Sequence, residues 1–111
     1  MDNKRKVLNL IGLATKAGKT ASGEFSTEKA VKDGSAFIVI VAEDASDNTK
    51  KMFTNMCTYY EVPVKFYGSK AELGHAMGKE TRASMALLDN GFAKAVVKQM
   101  NIDGGSEYES K

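Results

Sequence analysis

The sequence is short of cysteine and histidine, and each scarcity excludes something. One cysteine, Cys57, rules out an intrachain disulfide and agrees with a reducing compartment. The one histidine, His75, lies between Gly74 and Ala76 with no second His or Cys at ligand spacing, which argues against a metal centre or an imidazole catalyst. No run is long and apolar enough to span a bilayer. MDNKRK leads into an amphipathic stretch rather than a signal-like one, so the expectation is a cytoplasmic protein with no membrane partner. Repeats, linkers and low-complexity blocks are also missing. What remains, 111 residues with 42% hydrophobic and 27% charged, fits one globular domain with one core.

Charge is nearly balanced, at +2 over the whole chain, but it is unevenly placed. From Ile102 the sequence reads IDGGSEYESK, an acidic stretch with little to bury, and 102–111 is expected to be a disordered tail. Residues 1–101, the expected folded domain, hold 15 basic and 11 acidic residues, a net +4. A mildly basic body suits a nucleic-acid partner without demanding one.

The stretch GLATKAGKT invites comparison with a phosphate-binding P-loop, and the comparison fails. Five residues, not four, separate Gly12 from Gly18, and Leu13 stands where the first glycine belongs. Val7, Leu10, Ile11 and Ala14 recur at helical spacing, so Gly18 closes a helix where a P-loop would open one. Alternating elements follow: a short strand at Thr20–Ser22 and a helix from Glu24 to Asp33 closed by Gly34. The β-branched run Phe37–Ala42 predicts a strand buried on both faces.

Ser46 is placed to cap a third helix whose inner stripe is Met52, Phe53, Met56, Cys57 and Tyr60. Pro63 opens a strand over Val64–Tyr67, and Ser69 with Glu72 forms a capping box for a short helix ending at Gly78. Ala83–Leu88 is the last strand, and Asp89 caps a final helix with Phe92, Val96, Val97 and Met100 inward. The predicted fold is α/β, a three-layer α-β-α sandwich around a mixed sheet of about four strands.

Catalytic chemistry is hard to find. Glu43-Asp44 follows a strand end, where open α/β sheets place their sites, but turn and capping roles explain the pair without a reaction. Cys57 reads as a small buried hydrophobe. Two polar loops remain. Gly23-Glu24-Phe25-Ser26 begins a helix, where free N–H groups and the dipole favour a phosphate, and Lys29 and Lys32 extend that character along the helix. Gly78-Lys79-Glu80-Thr81-Arg82 is a second loop with cations and small residues.

Several separated motifs then occur in one order: LATKAGK, Ser22-Gly23 before Lys29-Ala30-Val31, IVIVAEDAS, VPVKFYGSKAELGHAMGK, and a closing strand with ALL. From Val7 to Met100 the chain resembles the ribosomal-protein family of the L7Ae and L30e type, and within it the small stand-alone bacterial members. The resemblance implies an α-β-α sandwich without enzymatic activity or cofactor. It also implies recognition of kink-turn RNA, an internal loop bent sharply beside tandem G·A pairs.

By position, the family's Gly-x-Asn-Glu-x-x-Lys signature falls on residues 23–29. Gly23 and Lys29 match it. Phe25 and Ser26 replace the polar pair that would hydrogen-bond the G·A bases. Phe25 would stack on a base or pack inward as a helix-start staple. The family's second contact loop, which accepts the flipped-out nucleotide, maps to Lys79, Glu80, Thr81, Arg82 and Ala83. Glu24 lies within the signature, and Glu43 and Asp44 match the family's AED segment near that pocket. Lys16, Lys19, Lys32 and Lys79 would supply phosphate contacts.

The leading expectation is therefore a non-enzymatic, monomeric, RNA-binding module associated with ribosomes or translation. Another is a protein-interaction adaptor that uses Phe25 and its neighbouring loops and binds RNA weakly or without selectivity. A hydrolase built on Glu43, Asp44 and Gly18-Lys19 is the third, and it lacks a nucleophile, a base and a complete phosphate loop.

Overall fold

Helix α1 (Asn3–Lys16) forms because Val7, Ile11 and Ala14 fall on one face, and all three are fully buried. Gly18 ends it at φ 74°, a left-handed conformation that costs an L-residue with a side chain but not glycine. The chain enters β1 (Thr20–Ser22) directly afterwards, so Gly18-Lys19 closes a helix and forms no phosphate loop. This computed structural model describes residues 3–104, with side chains to residue 101.

The remaining elements alternate: α2 (Glu24–Lys32), β2 (Ile38–Val41), α3 (Asp47–Tyr60), β3 (Val64–Phe66), α4 (Lys70–Ala76), β4 (Ser84–Leu87) and α5 (Asn90–Gly104). The four strands make one mixed sheet in the order β1-β4-β2-β3, with β2 and β3 parallel and both other pairings antiparallel. Helix α1 packs against α4 and α5 on one side, and α2 packs against α3 on the other, giving the expected three layers. Every residue of β2 and β4 is buried, which explains why β2 reads as a continuous apolar run rather than an alternating one.

Local signals set the helix ends. The Ser46 hydroxyl accepts from the Thr49 N–H at 3.1 Å to start α3. Ser69 and Glu72 exchange backbone-to-side-chain bonds of 2.9 and 3.0 Å, a complete capping box for α4. Asp89 accepts from the Phe92 N–H at 3.0 Å to start α5.

Most strand and helix ends fall within one or two residues of the sequence-based expectation, and two features depart from it further. Tyr60, placed on the inner stripe of α3, is 40% exposed and meets Tyr59 edge-on, ring centroids 4.9 Å apart. A helix of 14 residues is about 21 Å long, whereas strands of 3 or 4 residues span about 10–13 Å, so the last turn of α3 overhangs the sheet. Helix α5 also continues to Gly104, past the boundary expected at residue 101. The acidic stretch from residue 105 onward lies outside the described residues.

Candidate nucleic-acid interface

Sheet polarity decides which loops meet. Because β1 and β2 both run antiparallel to β4, their C-terminal ends lie beside the N-terminal end of β4. Ser22 is in register with Met85 and Val41 with Ser84, so Gly23, Glu43 and Arg82 follow or precede the same edge of the sheet. Backbone bonds tie the loops there. The Gly23 N–H donates to Ser84 O at 2.9 Å, Ala42 N–H to Ala83 O at 2.9 Å, and Glu43 N–H to Gly68 O at 2.7 Å.

The first loop is built locally. Gly23 takes φ 91° at the N-cap of α2 and offers no side chain, so the first turn of that helix has no side-chain cap among the described residues. The N–H groups of a first turn have no intrahelical acceptors, and with the helix dipole they attract anions. Phe25 projects from this turn with 80% of its surface exposed, which excludes the inward staple. Thr27, one position into the next turn, is the buried anchor on that side. A methyl placed on Gly23 would lie 3.8 Å from Cδ and Nε of Arg82, so the Arg82 side chain passes over this glycine.

The second loop, residues 79–83, is held from outside. Gly74 in α4 has no room for a side chain: a Cβ there would sit 2.5 Å from the Glu80 carbonyl oxygen and 2.6 Å from Thr81 Cα. The Lys79 N–H donates to Gly74 O at 2.7 Å, and the Arg82 N–H to Lys70 O at 3.0 Å. The Arg82 Nη1 donates to Thr81 O at 2.7 Å, so this side chain is oriented by its own loop. Gly74 and Lys70 escaped the sequence reading, because neither carries a catalytic or base-reading group and a close backbone approach leaves no local pattern.

The acidic pair divides its roles. Asp44 Oδ1 accepts from the Lys70 N–H at 2.8 Å and thereby satisfies the start of α4, a capping role on a helix distant in sequence. Glu43 is exposed beside it. Nearby, Glu72 is held below the usual carboxylate range, chiefly by the Ser69 backbone N–H and further by Lys4 at 3.4 Å.

Other expected contact residues lie farther out. Lys29 sits one turn along α2 from Phe25 and pairs with Asp33 at 3.7 Å. Lys32 closes the far end of α2, pairs with Glu28 at 2.7 Å, and is raised in pKa chiefly by that bond. Lys16 shares a groove between α1 and α4 with Lys79 and Glu80. Lys19 is at the opposite end of the sheet, its carbonyl accepting from the Leu88 N–H at 2.8 Å. The length of β1 therefore separates Lys19 from the loops and from Glu43-Asp44, which disperses the residues a hydrolase would have to gather.

Cys57 is buried, and burial pushes its thiol upward, away from nucleophilic reactivity. Among the described residues no group of three or more His, Cys, Asp or Glu could hold a metal ion, and no helix is long and apolar enough to cross a membrane.

Comparison with known proteins places the chain in a family and matches its fold. The model of the Ribosomal protein L7Ae/L30e/S12e/Gadd45 family matches residues 5–97. An RNA-binding protein YlxQ of Bacillus subtilis (strain 168) is 42% identical over 92 residues, covering 83% of this chain and 92% of its own. A protein of the same name from Enterococcus faecium is 47% identical over 92 residues, covering 83% and 88%. A Bacillus halodurans protein of unknown function superposes with a TM-score of 0.83 at 36% identity, over 86% of this chain and 97% of its own. A 15.5 kD RNA-binding protein from Giardia lamblia shares the fold, with a TM-score of 0.74 at 23% identity over 92% and 88%. With a match across nearly all of its folded length and the same sandwich, the chain belongs to the Ribosomal protein L7Ae/L30e/S12e/Gadd45 family.

Proposed function

We propose that this chain is a non-enzymatic, cytoplasmic, monomeric RNA-binding protein that recognises a kink-turn-like internal loop in RNA connected with translation or the ribosome. The observation that carries this reading is the meeting of two loops at one sheet end. The open first turn of α2 bears an exposed Phe25, and Arg82 of the other loop lies across Gly23. The relatives from B. subtilis and E. faecium, both called RNA-binding proteins, support it.

Each side chain then has a role its chemistry suits. The α2 N-terminus, Lys29, Lys79 and Arg82 bind phosphates and set orientation. Phe25 stacks on an unpaired base in place of the polar pair of the family signature. Thr81 and Ala83 are small, leaving space for an unstacked nucleotide, and Glu43 accepts from a base edge. Asp44 acts through the backbone of α4 rather than on RNA. Lys16 extends the surface along the α1/α4 groove, while Lys19 and Lys32 reach only phosphates of flanking stems.

The test is titration of the purified protein with a kink-turn RNA and with a control whose G·A pairs are replaced by Watson–Crick pairs, at two salt concentrations. Selective, salt-dependent binding is expected. Equal binding to both would reduce the protein to a general RNA binder. Binding to neither would overturn the reading and favour a protein adaptor that uses exposed Phe25.

A further inference from the structure

Away from the loop cluster, a groove of about 610 Å³ runs between α5 and the edge strand β3. Its floor is apolar, with Ile38, Val97 and the half-exposed Phe37, and its rim carries Lys65, Lys94 and Lys98. Among the described residues no Asp or Glu lines it. Among the described residues none of these three lysines forms an ion pair, whereas Lys4, Lys29 and Lys32 each have a carboxylate partner. Phe37 and Pro63 precede β2 and β3, so the groove opens at the sheet end opposite the two loops and shares no residue with them.

We propose that this groove docks an acidic segment of a partner protein that carries a bulky apolar side chain. Three unpaired lysines around one slot repel each other, and carboxylates from an occupant would relieve that repulsion and steer its approach. An apolar floor selects for an apolar group, because its water is released only when such a group covers it. RNA phosphates would satisfy the lysines and leave the floor wet. The inference is independent of RNA recognition, since both surfaces can be occupied at once.

The probe is a short acidic peptide, glutamates flanking a Leu-Phe pair, added to the full-length isotope-labelled chain and followed by NMR. Shifts are expected at Phe37, Ile38, Lys65 and Val97, with none at 23–26 or 79–83. The combined variant Lys65→Glu, Lys94→Glu and Lys98→Glu should weaken binding about tenfold, as should replacing the Leu-Phe pair by serines. The milder Lys94→Gln with Lys98→Gln serves if charge reversal disturbs folding, checked by thermal melting.

Absence of binding, or equal binding by the serine peptide or by the lysine variants, overturns the proposal. Displacement of the peptide by RNA would assign the groove to RNA, and shifts that follow protein concentration alone would assign it to a second copy. A through-space contact between Tyr108 and Val97 in the free protein would assign it to the chain's own C-terminus. Each of these three also overturns the proposal.

Discussion

The two loops that meet at the sheet end are made in opposite ways. Residues 23–26 are organised by their own helix: Gly23 supplies the positive φ, Thr27 anchors the turn, and Phe25 is left in solvent. Residues 79–83 owe their position to the preceding helix α4, with Gly74 giving way to the Glu80-Thr81 backbone and the Lys70 carbonyl holding the Arg82 N–H. The first loop takes its conformation from its own glycine and helix turn and is tied to β4 by one backbone bond, whereas the second depends on the room that α4 leaves it.

Gly74→Ala is the strongest way to break this contrast. Alanine would gain about 1 kcal/mol in helix propensity, but overpacking against backbone costs about 1–3 kcal/mol. The net change in stability is therefore small, and the strain is relieved by moving residues 80–81. RNA affinity is expected to fall about tenfold or more while the melting temperature drops by a few degrees, as measured by titration and calorimetry. Unchanged affinity in a folded variant would show that the second loop does not have to keep this position.

Phe25→Ala tests the first loop, with a smaller effect. The ring is already 80% exposed, so stability should stay within about 0.5 kcal/mol of the parent. Loss of one base-stacking partner should cost about 1–3 kcal/mol of RNA binding. If binding is unaffected, the aromatic ring serves another partner.

Smaller still are the phosphate contacts. Lys29→Ala and Arg82→Ala are each expected to weaken binding a few-fold across RNA sequences and to reduce the salt slope by about 1. Arg82→Ala should also lose some selectivity, since its side chain bridges the two loops. Affinity unchanged from the parent in both variants would remove this surface from consideration.

The least effect on binding is expected at the capping box of α4. Ser69→Ala should cost about 1 kcal/mol of stability. Glu72 is depressed by the Ser69 N–H and Lys4, so its contribution is complete above the unfolded-state value of about 4.3 and is lost as pH falls through its lower folded value. The stability difference between the parent and Glu72→Gln, from denaturant titrations, should therefore be present at neutral pH and vanish in acid. A difference that persists in acid would mean that the bond does not depend on the carboxylate charge.

Much of this was legible along the chain because the signals are short-range. Ser46, Ser69 with Glu72, and Asp89 each announce a helix start, and glycines 18, 34 and 78 take the positive φ expected where helices close. The apolar β2 run predicted a doubly covered strand, and the ordered motifs predicted the family. Tyr60 misled because helical periodicity carries no information about where the sheet beneath a helix ends. Lys19 is adjacent in sequence to the proposed contact surface but separated from it by the length of β1.

Sequence alone therefore determined the elements, most of their ends to within one or two residues, and the family, since caps, periodicity and motif order act over a few residues. Only the tertiary structure decided that β4 runs against both β1 and β2, which is what brings residues 23–26 to residues 79–83. It also decided that Asp44 satisfies α4, that Gly74 makes room for a loop, and that Phe25 faces water. These depend on strand direction and on how closely neighbouring elements approach one another, and no local pattern encodes them.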